Sequence, residues 1–82
     1  MPRLPILSGR KVVAFLESFG YRVVRQRGSH IRLELQNARG EWAETVPDHR
    51  EVARGTLRSI LKQMSLATEL EIEDLVSILS RR

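Results

Sequence analysis

The run His30-Ile31-Arg32-Leu33-Glu34-Leu35-Gln36 alternates polar and apolar residues, and turn signals close it on both sides, Gly28-Ser29 before it and Asn37-Ala38-Arg39-Gly40 after it. This is the pattern of a half-buried strand, with Ile31, Leu33 and Leu35 on one face and His30, Arg32 and Glu34 on the other. Bounded by turns, it belongs to an antiparallel meander. Tyr21–Arg27 before it is β-prone and broken by Gly28, although the paired valines Val23 and Val24 leave its buried face undecided. Trp42–Val46 after it forms a third strand, ended by Pro47, which cannot donate to a ladder. A three-stranded sheet with one apolar face needs a cover.

The flanking segments supply that cover. Ser8 is a good N-cap, Val12, Phe15, Leu16 and Phe19 follow on one helical face, and Gly20 provides the left-handed stop, so a helix is expected over about Gly9–Phe19. Pro47 to Gly55 reads as a polar loop. Thr56 reads as the cap of a second helix carrying Leu57, Ile60, Leu61 and Met64. Thr68-Glu69-Leu70-Glu71 has the form of a capping box opening a further helix, whose stripe is Ile72, Leu75, Val76 and Leu79. The fold class is therefore α+β, in the order α-β-β-β-α with an extra C-terminal helix. The opposite sheet face, with His30 and Arg32, is left to solvent. At 82 residues the chain has room for one small domain. We divide it into a main body, residues 1–66, and a helical extension, residues 67–82, packed on that body.

Several chemistries are excluded. With no cysteine there is no disulfide, thiolate metal site or cysteine nucleophile. No apolar run approaches the ~18 residues of a membrane span, and the N-terminal residues lack the apolar core of a signal peptide, so a cytoplasmic protein without membrane partners is expected. Charge is informative in its distribution. Up to Ser65 there are 12 basic and 6 acidic residues, net +6; from Leu66 on, Arg81 and Arg82 face Glu69, Glu71, Glu73 and Asp74, net −2. Of the 14 basic residues, 12 are arginine, whose planar fork suits phosphate.

Two sets of residues could carry chemistry. His30 follows Gly28-Ser29, where the glycine allows a tight turn and close approach of a ligand backbone, and it lies on the open face. Its alternatives are an acid/base group or a surface histidine beside a hairpin turn. His49 is either a second acid/base or substrate contact, or half of an Asp48/His49 pair that orders the loop. No histidine and carboxylate spacing resembles a metal site, so neither metal nor cofactor is expected. The second set is basic: Arg22, Arg25 and Arg27 on the first strand, Arg32 beside His30, and Arg54, Arg58 and Lys62 every four residues along the second helix. These are candidate nucleic-acid phosphate contacts, or a solvated surface. Tyr21 and Trp42 either stack on a base or pack. Ser29 has no readable triad and is set aside as a nucleophile.

Together these blocks resemble a known family. Gly-Tyr-x-Val-x-Arg-x-x-Gly-Ser-His at Gly20–His30, Val46-Pro47-x-His49, and Gly55-Thr56-Leu57-Arg58-Ser59-Ile60-Leu61-Lys62-Gln63 are similar, in this order and over about residues 8–66, to the HicA (YcfA-like) toxins of type II toxin–antitoxin systems. The resemblance implies a double-stranded-RNA-binding-domain-like fold and a small metal-independent ribonuclease, an mRNA interferase, with mRNA as substrate. It maps the family's active-site histidine onto His30 and implies a HicB-type antitoxin, expected to cover His30 with an acidic surface. Two departures stand out. Arg27 occupies a position where lysine is common, and the C-terminal helix is not part of the shortest members. The competing function is a non-catalytic RNA-binding module on the same fold. Oligomeric state is not legible.

Overall fold

A computed structural model describes residues 3–81. The elements are α1 (Gly9–Ser18), β1 (Arg22–Arg27), β2 (His30–Asn37), β3 (Gly40–Pro47), α2 (Arg54–Thr68) and α3 (Ile72–Ser80). The strands form one antiparallel sheet in the order β1-β2-β3. This is the α+β layout of the double-stranded-RNA-binding-domain-like fold, α-β-β-β-α, with an added C-terminal helix.

Local chemistry accounts for the first helix. The Ser8 hydroxyl accepts the Lys11 N–H at 3.2 Å, which caps α1. At the other end Gly20 takes φ 99°, its N–H bonds the Glu17 carbonyl, and the Tyr21 N–H bonds the Leu16 carbonyl. That pair of bonds is a Schellman stop, and its hydrophobic partners Leu16 and Tyr21 are both buried. The chain therefore leaves α1 already turned toward the sheet.

β2 and β3 keep an unbroken register from Asn37↔Gly40 to His30↔Pro47. Ile31, Leu33 and Val46 face the helices and are at most 1% exposed. β1 behaves differently. Val23 pairs with Leu33, but the next pair is Arg25 with Arg32, so β1 advances two residues against one. This bulge resolves the ambiguity of the paired valines. In unbroken register Arg25 would oppose Ile31 on the covered face; with the bulge, Arg25 and Arg27 stand on the open face beside Arg32 and His30.

The bounds of α2 differ from those the sequence suggests. It begins at Arg54, with Ala53 as an N-cap that offers no side-chain bond, so Thr56 lies inside the first turn and is not the cap. It also runs through Thr68. The Thr68 hydroxyl donates to the Met64 carbonyl at 2.7 Å, and Glu69 closes the helix in the left-handed region at φ 65°. The expected capping box is absent; α3 starts after Glu71, which makes no side-chain cap bond. The reason is chemical. A threonine hydroxyl accepts at an N-cap and donates to the i−4 carbonyl at a helix end, and buried Ala67 extends the α2 stripe past the point where a break was expected.

One core serves all three helices. Val12, Phe15 and Leu16 of α1, Leu57, Ile60, Leu61 and Met64 of α2, and Leu75, Val76 and Leu79 of α3 join the inner sheet face in a single cluster. The β2–β3 turn is tied to the end of α2: Asn37 Nδ2 donates to the Ala67 carbonyl at 2.9 Å and Arg39 Nε to the Leu66 carbonyl at 2.8 Å. These bonds satisfy carbonyls that a helix C-terminus leaves without intrahelical partners.

Candidate functional site

His30 is the first residue of β2. Its neighbours across the sheet are Arg27 on one side and Pro47 on the other. Gly28, at φ 56°, makes the two-residue Gly28-Ser29 turn that delivers it. Its side chain is exposed on the open face.

The loop after β3 brings His49 to the same end of the sheet, and backbone bonds hold it there. The Asp48 N–H donates to the Ser29 carbonyl at 2.6 Å, the Gly9 N–H to the His49 carbonyl at 2.9 Å, and the Val52 N–H to the Leu7 carbonyl at 2.8 Å. Gly9 is essential to this contact, because a Cβ there would sit 2.1 Å from the Pro47 carbonyl oxygen. The Asp48/His49 pair, one of the two alternatives for His49, does not form among the described residues. The Asp48 carboxylate is engaged by Arg10 at 2.9 Å and by Gln26 Nε2 at 3.4 Å.

The result is a shallow pocket of about 350 Å³ lined by His30, Thr45, Pro47, His49, Ala53 and Thr56. Both histidines line it, and neither imidazole has a hydrogen-bond partner among the described residues. Ala53 and Thr56 bring in the start of α2. Without a side-chain cap, its first-turn N–H groups keep their capacity to donate, and the positive end of the helix dipole lies at the pocket. The participation of Thr45 and Thr56 was not read from the sequence. For Thr45 a signal existed, since strand parity places it on the face of His30, opposite Arg32.

The cations divide into groups. Arg25 and Arg27 are exposed on the open face next to His30 and form no ion pair among the described residues. Arg32 shares that face but is bound to Glu34 at 3.1 Å. Arg54 lies beside His49, around Ala53. Arg58 is two residues beyond Thr56, about 200° around the helix, so Arg58 and Lys62 occupy the flank away from the pocket. Tyr21 is 2% exposed and belongs to the core; Trp42 is half-buried, with its indole N–H on Asn37 Oδ1 at 3.2 Å. Among the described residues no group of three or more His, Asp or Glu side chains comes together as a metal would require.

Residues 9–66, from the first residue of α1 into the last turns of α2, match the family model described as "HicA toxin of bacterial toxin-antitoxin". The chain belongs to the HicA toxin family. It is thus the toxin of a toxin–antitoxin system, with an antitoxin as partner. No curated protein and no solved structure matches it. Within this HicA toxin, α3 lies outside the matched span, while both histidines, the Gly28-Ser29 turn and the start of α2 lie inside it. No helix among the described residues is long and apolar enough to cross a membrane.

Proposed function

We propose that this toxin is a metal-independent endoribonuclease, an mRNA interferase of a type II system, and that His30 is its catalytic residue. The observation that carries the reading is the position of His30: exposed, without a hydrogen-bond partner among the described residues, and at a pocket bounded by a helix N-terminus, with Arg27 as its cross-strand neighbour. RNA carries its own nucleophile, the 2′-OH. A protein that moves protons and stabilises charge can therefore cleave it without a covalent enzyme intermediate. The 2′-oxygen attacks phosphorus, the bond to the 5′-oxygen breaks, and a cyclic phosphate and a free 5′-OH result. Arg25 and Arg27, with the first-turn N–H groups of α2, are suited to the negative charge that builds on the phosphorane. Arg32 and Arg54 would then meet the phosphates next to the scissile one, and Arg58 and Lys62, on the far flank of α2, only phosphates farther along the RNA. Since mRNA is the substrate, the toxin acts in the cytoplasm. Residues 1–66 carry the chemistry and residues 67–82 support it. A HicB-type antitoxin would silence the toxin by lying over the open face and covering His30.

The test is labelled mRNA incubated in EDTA with the toxin and with His30→Ala. The wild type should cleave, and the variant should lose roughly a hundredfold or more of that rate while keeping its circular dichroism and its RNA gel shift. A variant that cleaves like the wild type removes His30 from the chemistry. A wild type that shifts RNA and never cuts it would be a binding module on the same fold.

A further inference from the structure

We propose that His49 is the second proton-transfer residue of this site, acting with His30 on opposite sides of one scissile phosphodiester. The proposal rests on the ribonuclease reading and deepens it. An in-line displacement puts the attacking 2′-oxygen and the leaving 5′-oxygen at opposite apices of the phosphorus. One imidazole cannot serve both in the same step, so a second group must be within reach. Of the described residues lining the pocket, only His30 and His49 carry side chains of the type that serves in general acid–base catalysis. The others are two threonines, a proline and an alanine.

Three further observations favour a chemical role for the His49 side chain. The loop that carries it is held by main-chain bonds at Asp48, His49 and Val52, and these survive any side chain at position 49. The nearby carboxylate of Asp48, which could have made His49 half of a structural pair, is taken by Arg10 and Gln26. The imidazole is exposed and without a partner among the described residues, so the fold makes no visible use of it.

One imidazole, neutral, takes the 2′-OH proton as the O2′–P bond forms. The other, protonated, gives its proton to O5′ as the P–O5′ bond breaks. The products are a 2′,3′-cyclic phosphate and a 5′-OH, with the two histidines left in exchanged protonation states that solvent resets.

The experiment uses the intact toxin and an RNA oligonucleotide whose cleavage position by the wild type has been mapped. Rates are followed against pH for the wild type, His30→Ala, His49→Ala and His49→Asn. They are then repeated with a sulfur in place of the 5′-oxygen at that position, a leaving group that needs no proton. The expected result is a bell-shaped kcat/KM profile for the wild type and a loss of roughly a hundredfold or more in each histidine variant. Each variant should also lose one limb of the bell, and the sulfur substrate should restore the variant that lacks the acid but not the one that lacks the base. His49 variants that keep the wild-type rate and both limbs overturn the role of His49 while leaving the ribonuclease reading intact. A slowed His49→Ala that keeps both limbs also overturns it, since that is the mark of positioning. A wild type that leaves the RNA whole overturns the ribonuclease reading and this proposal with it.

Discussion

Glu44 occupies a place where a carboxylate is costly. Strand parity puts it between Trp42 and Val46 on the face the helices cover, opposite Leu33, and it is 8% exposed. Burial pushes its carboxyl up from 4.5 to about 7. Its Oε2 and the Tyr21 hydroxyl both lack a partner among the described residues. The Tyr21 phenol is raised to about 12, chiefly by burial and then by the negative charge of Glu44. The folded protein holds this proton more tightly than the unfolded chain, so the contribution to stability is complete below pH 4.5 and is lost as pH rises through about 7. The span amounts to up to about 3 kcal/mol. Glu44→Gln, neutral at every pH, should match the wild type near pH 4.5 and exceed its Tm at pH 8.5. Melting curves for both proteins between these limits check it; two parallel curves would mean that Glu44 is not the titrating group.

At the scale of elements, α2 gives up stability at its start. Ala53 is among the poorer N-caps and makes no side-chain bond there, yet it lines the pocket of the two histidines. An aspartate at this position would cap the first turn. Ala53→Asp should therefore stabilise the toxin by about 1 kcal/mol and, on the proposed function, slow RNA cleavage, because its carboxylate takes up first-turn N–H donors and sets a negative charge against the phosphate. Ala53→Asn should stabilise similarly with a smaller loss of rate. Thermal melts and cleavage rates on the three proteins decide it; unimpaired cleavage by Ala53→Asp would show that the start of α2 takes no part in substrate binding. The β1 bulge works at the same scale. One extra residue turns two arginines from the covered face to the open one, and so a single backbone irregularity sets the charge beside His30.

For the whole molecule, the family match stops at residue 66 but the core does not. Leu75, Val76 and Leu79 of α3 are 0%, 3% and 1% exposed and join the cluster that α1 and α2 build against the sheet. A domain this small has little stability to spare. Leu75→Ala should cost about 3 kcal/mol and lower Tm by roughly 15 °C, leaving the cleavage rate unchanged at temperatures where the variant is folded. An unaltered Tm would mean that α3 contributes nothing to the core.

How far residue patterns reach can be judged from particular segments. The alternation at His30–Gln36 determined the central strand, its buried face and the exposure of His30. The stripes from Val12, Leu57 and Ile72 determined three helices, and Ser8 and Gly20 bounded the first of them. All of these are properties of a few consecutive residues, which is why they can be read without the fold. Tertiary structure alone decided the rest. Val23 and Val24 are equally apolar, so the bulge that aims Arg25 and Arg27 is chosen by pairing with β2. Thr68 suits either end of a helix, and the burial of Ala67, which carries the α2 stripe on, made it the end of α2. The meeting of His49 with His30 rests on main-chain bonds from Asp48 to Ser29, Gly9 to His49 and Val52 to Leu7, which join residues about 20 to 45 positions apart in the chain. Those bonds form between backbone groups that every residue type carries, so no side-chain pattern announces them.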